Sequence, residues 1–248
     1  MALIRRTRNL FDPNSRDPFR LSRSRLESFL RCPRCFYLDR RLGIDRPSMP
    51  GFTLNIAVDA LLKKEFDVYR AKAKPHPLMK EHGLNAVPFQ HPDLDIWREN
   101  FKGIEHHHKP TNLLITGAVD DIWQTPSGEL IIVDYKSTST AEEITLEGKW
   151  KESYKRQMEI YQWTFRQNGF KVQDTGYFVY VNARKDRPSF DGHLYFDIHL
   201  LAHPGDDTWV EPAIVAAKQC LMNDALPESN IECEFCAYRR EGQKYEPI

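Results

Sequence analysis

The chain has 248 residues, 41% of them hydrophobic and 28% charged, a composition that is typical of a globular protein with a sizeable core. No apolar run approaches the roughly 18 residues of a membrane span, and the basic N-terminus is not followed by an apolar segment, so we expect neither a membrane protein nor an exported one. The formal net charge of zero does not identify a class of partner.

The N-terminal part of the chain is strongly basic. Residues 1–46 contain twelve Arg against five Asp or Glu, an excess of seven positive charges that the remaining chain cancels. Arginine is suited to contacts with a phosphate backbone, and the candidates here are Arg23, Arg25 and Arg31. The alternative for residues 1–20 is a flexible, solvated basic arm.

The first half of the chain is predicted to be mainly helical. A helix is expected over residues 21–42, with a break near Pro33. A second helix is expected over residues 53–72, with Leu61 on its apolar stripe. Residues 73–112 are rich in Pro and His and weakly periodic, and we expect an irregular insertion there.

Strands dominate the second half. Two strands around the turn Thr-Pro-Ser-Gly predict a hairpin over residues 113–137. The elements expected after this hairpin are a helix at 153–169, strands at 175–184 and 193–201, and a helix at 208–224.

An acid and a base lie two residues apart in the second hairpin strand. Asp134 and Lys136 therefore share one face of that strand. If the hairpin is symmetric about Ser127, Asp120 lies opposite Asp134, and two such carboxylates repel unless a cation lies between them. Oxygen ligands suit Mg²⁺ or Mn²⁺, and with a lysine they form a site for phosphodiester hydrolysis. The alternative is a structural ion pair at a sheet edge.

Gln157 and Tyr161 are four residues apart and therefore lie on one face of the predicted helix. An amide and a phenol in this arrangement can contact the same phosphate or base. Next to the acidic hairpin we favour a role in positioning the substrate, while the alternative is an ordinary amphipathic face.

Four cysteines form two Cys-x-x-Cys pairs at opposite ends of the sequence, Cys32 with Cys35 and Cys233 with Cys236. Four thiolates are the ligand set of tetrahedral zinc or of an iron–sulfur cluster. The fifth, Cys220, lies in a predicted helix and is expected to be a buried thiol. An odd number of cysteines without an export signal favours a reducing, cytoplasmic setting.

Taken in order, three motifs resemble the RecB-like branch of the PD-(D/E)xK nuclease superfamily. They are the Gly-x-x-Asp that ends at Asp120, the (Asp/Glu)-x-Lys at 134–136 and the Gln-x-x-x-Tyr at 157–161. This branch includes CRISPR-associated exonucleases and the nuclease domains of bacterial recombination helicases. The resemblance runs from about residue 21 to residue 238, since the opening helix with its Cys-Pro is also similar.

The resemblance implies an α/β fold with a restriction-endonuclease-like core, in which helices flank a central mixed sheet. A cysteine-bound metal would join the N- and C-terminal segments. We therefore expect a single domain over residues 21–248, with the irregular insertion at about 73–112, preceded by the basic arm of residues 1–20.

The resemblance also implies a metal-dependent DNA nuclease, an exonuclease of repair, recombination or defence. Its substrate would be DNA that is single-stranded or has free ends, and its partner a helicase or another repair or defence protein. Asp120, Asp134 and the carbonyl of Tyr135 would bind Mg²⁺ or Mn²⁺, and Lys136 would assist the attacking water. Relatives place a metal-binding histidine near the start of the helix that follows the opening helix. Asn55 stands at that position here, so Asn55 is an additional metal candidate.

Two departures from the family keep alternatives open. Relatives hold a [4Fe-4S] cluster with one N-terminal and three C-terminal cysteines, whereas here the division is two and two, so the metal is the cluster or Zn²⁺. The change at Asn55 leaves open a non-catalytic nucleic-acid-binding module, or a metal-stapled scaffold for a helicase partner.

Overall fold

The computed structural model describes residues 6–47, 51 and 53–245. Its elements, in chain order, are β1 (Phe19–Ser22), α1 (Arg23–Arg31), α2 (Pro33–Arg40), α3 (Thr53–Arg70), α4 (Pro77–Glu81), β2 (Val87–Pro88), α5 (Leu94–Trp97), β3 (Ile104–His108), β4 (Leu113–Gly117), β5 (Asp121–Gln124), β6 (Leu130–Thr138), a 3₁₀ helix (Lys149–Lys151), α6 (Glu152–Gln167), β7 (Thr175–Ala183), β8 (Phe196–Pro204), α7 (Val210–Met222) and α8 (Glu234–Gln243). No helix within these residues is both long enough and apolar enough to cross a membrane.

Contacts within the chain define two compact units. The terminal unit contains the described residues of Met1–Pro50, Glu105–Thr116 and Thr208–Ile248. The central unit contains those of Gly51–Ile104 and Gly117–Asp207. Both units combine helices with a sheet, so the α/β prediction is confirmed.

The central unit is built on a five-stranded mixed sheet with the strand order β2-β5-β6-β7-β8. Strands β5 and β6 form the predicted antiparallel hairpin, in which Asp121 is opposite Val133 and Gln124 is opposite Leu130. This register is symmetric about Ser127, as expected. Strand β7 runs parallel to β6, and α6 makes the long connection that a parallel pair requires.

Alternation along β6 separates two apolar layers. Ile131 and Val133 pack with Leu62 and Phe66 of α3 and with α4 on one side of the sheet. The residues between them face the other side, where α5 and α6 supply the packing partners. Because side chains alternate along a strand, Asp134 and Lys136 belong to the α6 side.

The apolar stripe of α3 differs from the prediction at one position. Leu62 and Phe66 are buried, but Leu61 is 63% exposed. One residue corresponds to about 100° of helix rotation, so Leu61 points away from a face that is centred on its neighbour.

Helix α6 approaches the sheet closely at Gly176 of β7. A Cβ atom at this position would lie 2.4 Å from Sδ of Met158, which is far inside van der Waals contact. The small residue in β7 therefore permits the close packing of α6, the helix that carries Gln157 and Tyr161.

The terminal unit contains a three-stranded sheet with the order β1-β4-β3, in which β1 and β4 are parallel. The predicted helix break is confirmed, since α1 ends at Arg31 and Pro33 begins α2. Residues 6–18 form no helix or strand, but they are not a loose arm, because Phe11 is 4% exposed and its N–H donates to the Arg40 carbonyl. The remainder of the predicted arm, residues 1–5, lies outside the described residues.

Two predicted segments divide more finely than expected. The first hairpin strand is interrupted at residues 118–120, so that β4 joins the three-stranded sheet and β5 the five-stranded one. The predicted insertion at 73–112 contains the short elements α4, β2, α5 and β3.

Candidate functional site

Two carboxylates meet in the central unit at the start of β5. Asp134 is fully buried within β6, and Asp120 lies in the bend before β5, with 23% of its side chain exposed. Oδ2 of Asp120 accepts a hydrogen bond of 2.8 Å from the backbone N–H of Tyr135. Burial, and then the charge of Asp134, raises the pKa of Asp120 to about 6. The site thus disfavours two negative charges together, which is the condition that a bound cation relieves.

Lys136 lies over the buried acid. Its Nζ forms an ion pair with Oδ2 of Asp134 and is 4.6 Å from the centre of the Tyr154 ring. This carboxylate oxygen accepts no hydrogen bond from the described residues. The ammonium group is therefore the protein charge that faces Oδ2.

Gln157 holds the other oxygen of the same carboxylate. Its Nε2 donates to Oδ1 of Asp134 at 2.6 Å and to the hydroxyl of Tyr161 at 3.3 Å. Gln157 is 8% and Tyr161 3% exposed. Both side chains are buried beside the acid, and the amide of Gln157 orients the carboxylate of Asp134. Contact of these two residues with the substrate stays a prediction.

Helix α3 contributes two residues that the sequence analysis missed. Nζ of Lys63 is 2.8 Å from Oδ2 of Asp59 and 3.8 Å from Oδ1 of Asp120. Burial, and then Asp120, raises the pKa of Asp59. The spacing of four residues that joins Asn55, Asp59 and Lys63 on one helix face was the available signal.

Asn55 itself is exposed and makes no side-chain hydrogen bond within the described residues. It lies one turn before Asp59 on the same face of α3. The structure therefore brings Asp59, and not Asn55, beside the acidic pair.

The neighbouring acid, Asp121, has a structural environment. It is fully buried, forms ion pairs with Arg70 and Arg98, and accepts hydrogen bonds from Nε1 of Trp123 and the hydroxyl of Tyr135. Two guanidinium groups compensate its charge. This anchored residue fixes the start of β5 and thereby the position of Asp120, its neighbour in sequence.

Comparison with known proteins identifies the family. A family model described as the PD-(D/E)XK nuclease superfamily matches residues 54–240, which include every residue of the acidic site. The chain belongs to this superfamily. No curated protein matches the chain. Among solved structures, the one described as the crystal structure of SSO0001 is similar with a TM-score of 0.44 and 18% sequence identity, covering 92% of this chain and 87% of that one.

The PD-(D/E)XK match does not distinguish branches of the superfamily, so the RecB-like assignment stays a prediction. Asp134, Tyr135 and Lys136 on β6 have the (D/E)XK spacing of the superfamily's name, and the structure places Asp120, in the bend before β5, beside them. The assignment of these residues to the superfamily's site stays a prediction.

In the terminal unit, the two Cys-x-x-Cys pairs meet, as predicted. All four sulfur atoms lie within 4.8 Å of one another and all four residues are buried. Sγ of Cys35 is 3.6 Å from Sγ of Cys233 and of Cys236, and Cys32 is 3.8 Å from Cys236. Four converging thiols with this separation can hold a metal.

The guanidinium group of Arg46 accompanies these thiols. Nη2 of Arg46 lies 3.9 Å from Sγ of Cys233, and its guanidinium carbon is 4.3 Å from the centre of the Phe235 ring.

Cys220 is separate from the cluster, and burial raises the pKa of its thiol to about 11. Cys220 therefore stays protonated at neutral pH.

The three arginines proposed to contact phosphate have different environments. Arg25 donates to Oδ2 of Asp39 at 2.5 Å and lies 3.6 Å from Asp45, so its charge is used inside the terminal unit. Arg23 is partly buried, and Arg31 is exposed at the end of α1. Of the three, Arg31 is the most exposed, and phosphate contact by these arginines stays a prediction.

Proposed function

We propose that the central unit is a divalent-metal-dependent nuclease that hydrolyses the phosphodiester bonds of DNA. The observation that carries this proposal is the convergence of Asp120 and Asp134, with Lys136 paired to the second acid. Superfamily membership supports the same reaction class.

The residues suit Mg²⁺ or Mn²⁺. Oδ2 of Asp134 accepts no hydrogen bond from the described residues, and Asp120 has a raised pKa that a cation would lower. The N–H and C=O of a strand residue point to the same side, so the carbonyl of Tyr135 is directed, like its N–H, toward Asp120. A bound ion polarises the phosphate and lowers the pKa of its water.

The protein groups then have separate tasks. Lys136 has three donors and no acceptor, so it orients the attacking water or stabilises the charge that develops on the phosphate. Gln157 holds Oδ1 of Asp134, while Oδ2 faces the ammonium group of Lys136, which a metal ion bound at this oxygen would displace. Lys63 neutralises part of the charge of Asp59 and Asp120.

We further propose that Asp59 is the α3 residue that supports the metal. Its carboxylate shares Lys63 with Asp120, and its pKa is raised by burial and then by the charge of that neighbour. A carboxylate at this position keeps the site rich in hard oxygen ligands, which suits Mg²⁺.

The finer features of this function follow from the RecB-like resemblance. They are exonuclease action on single-stranded DNA or on free ends, a role in repair, recombination or defence, a cytoplasmic setting, and a helicase or related protein as partner.

The decisive experiment compares cleavage of labelled linear single-stranded, linear double-stranded and closed circular DNA in Mg²⁺, Mn²⁺ or EDTA. Wild type should cleave only with metal, and Lys136→Ala should lose at least 100-fold in rate while it keeps its affinity for DNA. Lys102→Ala is the matched control, because Lys102 is an exposed lysine of the same unit. Wild-type cleavage by Lys136→Ala would overturn the site assignment.

The same assay separates the alternatives. DNA binding without metal-dependent cleavage would indicate a non-catalytic binding module. Neither binding nor cleavage would indicate a scaffold. Cleavage of linear but not of circular DNA would support exonuclease action.

A further inference from the structure

The separation of the sulfur atoms limits which metal centre the four cysteines can hold. Three of the sulfur–sulfur pairs are 3.6, 3.6 and 3.8 Å apart, and all four atoms lie within 4.8 Å of one another. A tetrahedral zinc ion with Zn–S bonds of about 2.3 Å places its sulfur ligands about 3.8 Å apart. The observed separations match this value.

A [4Fe-4S] cluster requires a wider arrangement. Each cysteine binds its own iron, and the whole core of four irons and four sulfides lies between the thiolates. The cysteine sulfur atoms of a cluster are therefore farther apart than those that share one ion. Four sulfur atoms at these distances leave no room for the inorganic core.

We propose that Cys32, Cys35, Cys233 and Cys236 bind one tetrahedral Zn²⁺ ion in place of the cluster that the RecB-like resemblance implies. This proposal does not depend on nuclease activity, because all four ligands belong to the terminal unit and the acidic site belongs to the central unit.

The local structure supports a two-plus-two site. Cys32 is the N-cap of α2 and Cys233 is the N-cap of α8, while Cys35 and Cys236 each lie three residues further, in the first turn. The two pairs thus present their thiols in the same way from the starts of two helices. The positive ends of the helix dipoles favour thiolate at both places.

The coordination is complete with four thiolates. Among the described residues, no histidine, carboxylate or further cysteine joins the group. Structural zinc sites have four protein ligands, whereas catalytic sites keep one position open. Four thiolates on Zn²⁺ carry two net negative charges, and Arg46 lies where it offsets part of them.

The test is the metal content of the full-length protein, purified without oxygen from cells supplied with both iron and zinc. We expect one zinc per chain, no acid-labile sulfide and no visible absorption. Stoichiometric iron with sulfide would overturn the proposal, and so would the absence of any metal. Replacement by Co²⁺ gives a second readout, because a tetrahedral thiolate site should produce strong visible bands.

Variants locate the ion. Cys35→Ser should lose most of the bound zinc and show a lower Tm, whereas Cys220→Ser should retain one zinc per chain. If Cys35→Ser does not fold, titration of the wild type with a chromophoric chelator provides the measurement. Release of one equivalent of zinc together with a fall in Tm supports the site, and release without any change in Tm contradicts it as a structural ligand set.

Discussion

At the scale of single residues, the acidic site combines groups that oppose the folding of the metal-free protein. The pKa of Asp120 is raised to about 6 by burial and by Asp134. A carboxyl whose pKa is higher in the folded state destabilises the fold as the pH rises past its ordinary value near 4, and the full cost is reached above its folded value.

Asp120→Asn should therefore stabilise the metal-free protein above pH 7 by about 1–2 kcal/mol and have little effect near pH 4, while it abolishes metal-dependent cleavage. Thermal unfolding in EDTA at both pH values measures this effect, with the exposed Asp95→Asn as control. An equal gain at both pH values would mean that ionisation of Asp120 carries no cost. Mg²⁺ should raise the Tm of the wild type but not that of the variant.

Substitution of Gln157 tests whether this side chain orients Asp134 or contacts DNA. Since its Nε2 donates to Asp134, Gln157→Ala should lower the cleavage rate about 10- to 100-fold and leave DNA affinity unchanged, as expected for a residue behind a metal ligand. Gln167→Ala, at the exposed end of the same helix, is the control. A weaker Kd for DNA with an unchanged maximal rate would instead support the role predicted from the sequence.

At the scale of elements, the main question is which turn of α3, that of Asn55 or that of Asp59, supports metal binding at the acidic site. Asp59→Ala should raise the Mg²⁺ concentration that gives half-maximal cleavage several-fold, because Asp59 shares Lys63 with Asp120. Asn55→Ala and Asn55→His should leave it unchanged. The reverse result would place Asn55 at the metal, and measurement of cleavage against Mg²⁺ and Mn²⁺ for the three variants decides between them.

The packing of α6 on β7 offers a second test at this scale. Gly176→Ala should destabilise the protein by about 1–3 kcal/mol, because the added Cβ overlaps Met158. Denaturant unfolding of Gly176→Ala, Met158→Ala and the double variant should show coupling between the two positions. The control is Gly242→Ala, whose Cβ would meet no atom within 4 Å. Additive effects would show that Met158 does not limit the approach.

Local patterns predicted the elements better than the site. Alternation and a short turn fixed the register of β5 and β6 because both act within a few residues. The roles of Gln157 and Asp59 depend instead on which helix face meets the sheet, and periodicity gives a face but not its neighbour. Leu61 was misassigned for the same reason, since one residue of rotation separates it from the buried face.

At the scale of the whole molecule, the sequence order hides the grouping of the chain. The terminal unit collects three segments, and the central unit two, so the contacts that define them join distant residues. The four-thiolate ligand set and the family resemblance predicted that the cysteine pairs meet, although the spacing between the pairs is uninformative. Neither predicted that residues 6–18 pack with the same unit, which the structure shows through the burial of Phe11 and its hydrogen bond to Arg40.

The long separation of the cysteine pairs also sets an order of events during synthesis. Cys35 and Cys236 are 201 residues apart in sequence. At a synthesis rate of about 5–20 residues per second, the second cysteine pair is therefore made about 10–40 s after the first. The segments of the central unit emerge before Cys236 does, which allows the five-stranded sheet to form first. A released fragment that ends at residue 225 should therefore resist proteolysis in the central unit while Cys32 and Cys35 remain open to alkylation. If the proposed zinc site forms, metal capture is the last step of maturation, and Cys32 and Cys35 are exposed to oxidants and competing metals until then.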